Sequence, residues 1–239
     1  MITNSDDSYR RLEEQGHKKS GIIEIVVSRK KGGLCSELRV RDYAEGISSE
    51  KMQSVYPYGE RSSGIEKFSV RGYFGRGLKQ CILAFGEGEI HSVYNGAYSG
   101  VKIWWDNEKE KAQFVPIEEL TTDERKDLNI GLSPNETLVI IRNKFEDNDY
   151  CIPSYSKFKP LLVNHYTLRD ILTSQQRKVN LTVKDWKSTN AQDNLRFIFP
   201  GKFKKILEEP DVMEKFGDKL LITIFESESP FPFEKPTGL

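Results

Sequence analysis

Residues 71–79, Arg-Gly-Tyr-Phe-Gly-Arg-Gly-Leu-Lys, decide the fold, because glycines spaced as GxxGxG open an apolar run that continues to Phe85. Glycines let the backbone approach a ligand closely, and the N–H groups at the start of a following helix attract anions such as phosphates. The segment predicts a tight turn feeding a buried helix. A purely structural turn is the alternative. A dinucleotide fingerprint is disfavoured, because it needs the order GxGxxG after a buried strand.

Upstream of this turn, the chain predicts a helix followed by a β-hairpin. Residues 2–15 fit a helix that stops at Gly16. The β-branched run Gly21–Ser28 indicates a strand, and Cys35–Asp42 alternates apolar and charged residues with period two. Lys30–Gly33 supplies the turn between the two strands.

Downstream, strands and helices alternate. Residues 47–71 predict a short helix and a mobile loop, and Asn95-Gly96 marks a hairpin turn. We predict a hairpin over Glu89–Trp105, strands over Thr137–Asn143 and Val179–Val183, and a helix over Lys157–Leu172. This order predicts an α+β fold, a two-layer sandwich of a mixed β-sheet with helices on one face.

The pattern changes near residue 190, which predicts a domain over 1–190 and the beginning of a downstream, transducer-like domain over 191–239. There we expect strands over Phe197–Pro200 and Leu220–Phe225, with a short helix near Lys202–Leu207.

Composition is that of a soluble globular protein, with 37% hydrophobic and 30% charged residues among 239. The net charge is zero, so it does not indicate nucleic acid as a partner, although a local basic patch remains open. The polar start and the lack of a long apolar run predict a cytoplasmic protein without a membrane span. The cysteines, Cys35, Cys81 and Cys151, support neither disulfides nor a zinc site.

Two further segments carry chemistry. Residues 42–47, Asp-Tyr-Ala-Glu-Gly-Ile, end a predicted strand. A carboxylate there accepts a hydrogen bond from an exocyclic amine, and the small residues leave room for a flat ring; the alternative is an ordinary turn. Asn4 and Asp7 share one face of the first helix, where oxygen ligands suit Mg²⁺. A helix N-cap is the alternative for that segment.

Taken in order, these segments resemble the GHKL family of ATP-binding domains, found in gyrase B, heat-shock chaperones, sensor histidine kinases and mismatch-repair proteins. The resemblance covers about residues 1–185 and implies the Bergerat ATP-binding fold, with ATP and Mg²⁺ as cofactors. It implies that Asn4 is the Mg²⁺ ligand supported by Asp7, and that Asp42 binds the adenine amino group. It also assigns Gly46, which packs near the ring, and Thr137 to the adenine side of the pocket. The implied phosphate-binding segment comprises Gly72, Gly75, Arg76, Gly77, Leu78 and Lys79, under an ATP lid over Tyr56–Val70.

The chain departs from the family pattern at two points. Ala44 stands where the family usually has a glycine, which is tolerable if its backbone φ is negative. The general-base Glu, which lies four residues before the Mg²⁺-binding Asn in hydrolysing members, would precede Met1. The resemblance therefore implies an ATP-driven conformational switch or ATPase, with a truncated N-terminus; the alternative is a nucleotide-dependent scaffold that does not hydrolyse ATP. It also makes an ATP-dependent homodimer plausible.

Overall fold

The computed structural model describes residues 1–17, 20–53, 77–144, 152–198, 203–210 and 221–227. The chain forms two compact units, Met1–Arg196 and Phe197–Leu239. The first unit thus extends a few residues past the boundary expected near 190.

Six α-helices and ten β-strands make up the described chain. The helices are α1 Ile2–Glu14, α2 Ser49–Gln53, α3 Gly77–Phe85, α4 Thr122–Leu128, α5 Tyr155–Val163 and α6 Arg169–Thr173, with short 3₁₀ helices at Lys31–Gly33 and Tyr166–Leu168. The strands are β1 Gly21–Arg29, β2 Cys35–Asp42, β3 Gly86–Tyr94, β4 Ala97–Asp106, β5 Lys111–Ile117, β6 Glu136–Asn143, β7 Arg177–Lys184, β8 Thr189–Gln192, β9 Phe203–Pro210 and β10 Leu221–Ser227.

Eight strands form one mixed sheet in the first unit, in the order β5-β4-β3-β6-β2-β1-β7-β8. β1 and β7 are parallel, and the other neighbouring strands of this sheet are antiparallel. In the second unit, β9 and β10 form an antiparallel pair. The predicted α+β class, with a mixed sheet and packed helices, is confirmed.

One face of the sheet carries the apolar core beneath α2 and α3. Because side chains alternate along a strand, every second residue of the central strands points to this face. The buried members of the cluster are Met52, Ile82, Ile90, Val101, Ile103, Val139 and Ile141.

The opposite face is more polar. Arg41, His91 and Glu136 alternate with core residues and are all buried. The Arg41 guanidinium donates hydrogen bonds to the carbonyl oxygens of Leu128 and Asn129, which fixes the end of α4 over this face. The expected fold has helices on one face only. The short α4 lies over the opposite, polar face and was not part of that expectation.

Several local expectations differ from the structure, among them the strand over Phe197–Pro200, since Phe197 and Ile198 belong to no strand and the remaining two residues are outside the described ones. The helix predicted over 157–172 is interrupted, because His165 adopts an extended conformation between α5 and the 3₁₀ helix that precedes α6. The helix predicted near 202–207 is wrong: these residues lie largely in β9, where pairing with β10 overrides a weak helical preference. Neither β5 nor α4 was predicted, although Thr121 and Glu124 form the capping box that marks the start of α4.

None of the helices in the described part of the chain combines the length and apolar character that a bilayer crossing requires.

Candidate functional site

Asp42 ends β2 on the helix-bearing face, where its carboxylate is buried and held at both oxygens. The Ser5 hydroxyl on α1 donates a hydrogen bond of 2.7 Å to Oδ2. The Ala44 backbone N–H donates to Oδ1 over 3.2 Å. The side chain is therefore oriented by the first helix and by the turn that follows β2.

The environment of Asp42 raises its pKa from 3.8 to about 6, chiefly because burial disfavours the charged carboxylate. The hydrogen bonds from Ser5 and Ala44 oppose this effect. A carboxylate offers about four lone-pair positions to donors. Two hydrogen bonds thus leave Asp42 with capacity to accept another from a ligand.

Thr137 lies beside Asp42 because β2 and β6 pair in that register. On its other side Thr137 pairs with Ser92 of β3, and the two hydroxyl oxygens are 3.4 Å apart. Ser92 Oγ also accepts a hydrogen bond of 2.8 Å from the Ile47 backbone N–H. Three neighbouring strands thus place Asp42, Thr137 and Ser92 in one row, next to the turn after β2.

Gly46 is the one position of this turn that requires glycine. Its φ is +74°, and a Cβ added there would lie 2.1 Å from the Val93 carbonyl oxygen. Ala44, by contrast, is fully buried and does not have a positive φ. An alanine is therefore tolerated at this position, where the family usually has a glycine. The turn therefore runs against β3 without an intervening side chain.

We expect Gly46→Ala to destabilise the protein by more than about 2 kcal/mol, because it adds a backbone clash to the strain of a positive φ. Gly16→Ala is the matched control, since Gly16 has φ +87° and no atom within 4 Å of an added Cβ. It should lose only the conformational part, about 1 kcal/mol. Urea unfolding of both variants measures the difference, and equal losses would show that the contact with Val93 is unimportant.

α1 is fastened to the site by buried polar contacts. The Tyr9 hydroxyl donates to the Ile22 carbonyl over 2.8 Å and accepts from the Tyr43 N–H over 2.9 Å. Arg11 donates to Glu45 over 2.8 and 2.5 Å. Because Tyr43 and Glu45 belong to the turn after Asp42, α1 and this turn are held together as one structure.

Arg177 of β7 also anchors α1. Its guanidinium donates to Asp6 over 2.7 Å and to both oxygens of Glu13 over 2.5 and 3.1 Å. It also lies 5.0 Å from the centre of the Tyr9 ring. With Asp6 and Arg177 side chains each 3% exposed, the pair is shielded from solvent.

The first turn of α1 places Asn4 in an exposed position and Asp7 in a buried one. Burial lowers the pKa of the Met1 amino group. Charge interactions with Cys81 of α3 and with Asp7 oppose this decrease. Met1, Ile47 and Leu78 all pack against the same core cluster. The start of α1, the turn after Asp42 and the start of α3 therefore meet over one part of the sheet.

Part of the predicted phosphate segment starts α3. Gly77 is exposed, whereas Lys79 is buried. Gly72, Gly75 and Arg76, like the lid predicted over residues 56–70, lie outside the described residues.

Some site residues were not expected from the sequence. Ser5 stands next to Asn4, but its contact with Asp42 requires knowing how α1 packs. Ser92 lies in the row with Asp42 only through strand register, and Arg177 holds α1 through a contact with Asp6, 171 positions away in the sequence. A local signal did exist for Tyr9, which lies one helical turn after Ser5 and so on the same face of α1.

Two other features of the described chain lie apart from Asp42. A pocket of about 500 Å³ opens between α1 and residues near Ser174, and its lining includes Asp6 and Arg177 but neither Asp42 nor Thr137. Within the described ranges, no group of three or more His, Cys, Asp and Glu side chains is arranged to hold a metal ion.

Comparison of the chain with protein-family models and with curated protein sequences gave no match.

Proposed function

We propose that the protein binds Mg-ATP through a GHKL-type pocket and acts as an ATP-dependent conformational switch, with Asp42 accepting a hydrogen bond from the adenine amino group. One observation carries the proposal: a buried carboxylate at a strand end, oriented by Ser5 and the Ala44 N–H, lies beside the Thr137 hydroxyl. A buried acid with spare acceptor capacity is unfavourable for folding alone, which favours a role in binding.

The donor and acceptor pattern suits adenine. An ionised Asp42 accepts from the amino group at position 6, whereas guanine or hypoxanthine would present a carbonyl oxygen there and repel the carboxylate. Gly46 and the small, buried Ala44 leave space for a flat ring beside the strand end. Thr137 adds a hydroxyl that both donates and accepts.

The triphosphate would extend towards the starts of α1 and α3. Asn4 is exposed there, so its amide oxygen is available as a Mg²⁺ ligand, whereas Asp7, three residues later, is buried and would support it from within. Gly77 opens α3, whose first N–H groups suit a phosphate. Mg²⁺ would neutralise phosphate charge when bound. Lys79, Leu78 and the preceding Gly72, Gly75 and Arg76 complete the proposed phosphate side.

Conformational switching rests on the same contacts. α1 touches the proposed adenine site through Ser5 and the proposed metal site through Asn4, so a bound nucleotide would bias the position of the whole helix. Hydrolysis needs a general base as well. Phosphate release therefore discriminates an ATPase from a non-hydrolysing scaffold, and ATP-dependent homodimerisation is a further part of the proposal.

Calorimetric titration with Mg-ATP tests the binding step. We expect saturable binding near pH 7.5 that weakens roughly ten-fold near pH 5, because Asp42, with a pKa of about 6, is then mostly protonated and loses its acceptor charge. Absence of binding near pH 7.5 would refute the proposed function.

The terminal phosphate of ATP also titrates in this range, so Asp42→Asn is titrated in parallel. The pH dependence of ATP affinity that remains in this variant comes from titration of ATP and of the other residues of the site. If the wild type and Asp42→Asn lose affinity equally on acidification, Asp42 is not the acceptor.

A further inference from the structure

Charge is unevenly distributed between segments of the chain, although the whole chain is neutral. Residues 152–198 carry eight Lys and Arg but three Asp and Glu, whereas residues 77–144 carry eight of the former and eleven of the latter. The first segment contributes β7 and β8, which form one edge of the sheet, and the second contributes β5 at the other edge. The segment that forms the β7–β8 edge therefore carries an excess of five positive charges.

Trp186 lies in the turn between β7 and β8, within this positively charged segment. The Asp185 N–H donates to the Ser188 carbonyl over 2.7 Å, which closes the turn and leaves the Trp186 side chain 56% exposed. Lys187 Nζ lies 4.2 Å from the centre of a Trp186 ring. A large exposed aromatic ring is thus combined with a neighbouring cation.

The turn between β1 and β2 adds further cations. Because β1 and β7 are parallel and Ser28 pairs with Lys184, both strands end at the same place. Lys31 Nζ consequently lies 5.8 Å from a Trp186 ring centre. We call the exposed group Lys30, Lys31, Lys184, Trp186 and Lys187 the Trp186 patch.

The acid in this turn does not cancel the patch. Asp185 forms an ion pair with Arg29, whose guanidinium also donates to the Ile152 carbonyl over 2.8 Å. Because Arg29 neutralises Asp185, the acid of this turn does not offset the charge of the four lysines of the Trp186 patch.

We propose that the Trp186 patch binds single-stranded nucleic acid, with Trp186 stacking on a base and the lysines contacting phosphates. An exposed flat ring beside several cations matches an unpaired base beside its backbone. A duplex keeps its bases stacked inside and offers the ring no partner. An anionic membrane is less suited, because Trp186 and Leu34, which is 37% exposed, offer only a small apolar area to insert. This interaction is independent of ATP binding.

Fluorescence anisotropy with a fluorescein-labelled oligothymidylate of about 20 nucleotides tests the proposal in low salt and without nucleotide. We expect saturable binding that Trp186→Ala weakens roughly ten-fold. Lys31→Ala combined with Lys187→Ala should lower the slope of log affinity against log salt by about 1, since up to two phosphate contacts are lost. Both changes are at exposed positions, so folding is preserved.

Matched controls lie at the opposite edge of the sheet. Trp105 is 42% exposed, and Lys109 and Lys111 flank the start of β5. Trp105→Ala, and Lys109→Ala combined with Lys111→Ala, should leave binding unchanged. The proposal is overturned if the oligonucleotide does not bind, if the controls weaken binding as much, or if phosphatidylserine vesicles bind through Trp186 while the oligonucleotide does not.

Discussion

Asp42→Asn is expected to bind ATP roughly ten-fold or more weakly than the wild type and yet to unfold at a higher temperature. The affinity falls because an amide nitrogen replaces the charged acceptor for the adenine amino group, a loss of about 1 to 3 kcal/mol. The stability rises because burial, which raises the pKa of Asp42 from 3.8 to about 6, makes the charged form unfavourable in the folded protein.

Proton linkage explains why Asp42→Asn should increase the free energy of unfolding. The folded protein holds the Asp42 proton more tightly than the unfolded chain, so this group favours folding at low pH and loses that advantage as the pH rises to about 6. Two pKa units correspond to at most about 3 kcal/mol at neutral pH. Asn has no such cost and can still accept from the Ala44 N–H while donating to Ser5.

Thermal unfolding and calorimetry measure the two effects together. A stabilisation of about 1 to 3 kcal/mol corresponds to several degrees for a unit of this size. Ala44→Gly, which alters the same turn without changing charge, is the control and should not gain stability. A variant that becomes less stable near neutral pH, or one that binds ATP as tightly as the wild type, would contradict the assignment of Asp42.

Arg177→Met is expected to cost about 3 to 5 kcal/mol of folding free energy, the second large effect. It removes the buried cation that neutralises Asp6 and Glu13, and methionine retains the apolar stem without the charge. Because these contacts hold α1 in place, ATP affinity should fall too, through Ser5 and Asp42.

Arg10→Met provides a matched control on the same carboxylate. Arg10 pairs with the other oxygen of Asp6 over 2.9 Å, but its side chain is 35% exposed. The expected loss is below about 1 kcal/mol. Urea unfolding of the two variants compares their losses of folding free energy. Similar losses would mean that the burial of Arg177 does not determine its contribution to stability.

Local pattern predicted the elements that carry the site. Alternation along Cys35–Asp42 marked β2 to its last residue, and Asn95-Gly96 marked the β3–β4 turn. Asp42 could be singled out because a carboxylate at a strand end, followed by small residues, is a local feature. The sequence also shows a glycine at position 46. It does not show the contact with Val93 that makes glycine necessary there.

Contacts between distant segments could not be predicted from the sequence. Thr137 faces Asp42 only because β6 inserts between β2 and β3, and strand order is set by packing of the whole sheet. Arg177 reaches Asp6 only once β7 has paired in parallel with β1. The break after α5 was not predicted either, because apolar residues on both sides of His165 continue the helical pattern although the chain turns there.

The central claim, that Asp42 recognises the amino group of adenine, is tested most directly by comparing ATP with inosine triphosphate, which carries a carbonyl in place of that group. We expect calorimetry to show that the wild type prefers ATP by roughly ten-fold or more, and that Asp42→Asn loses most of this preference. Equal affinity of the wild type for the two nucleotides, or a preference that survives in Asp42→Asn, would contradict the account.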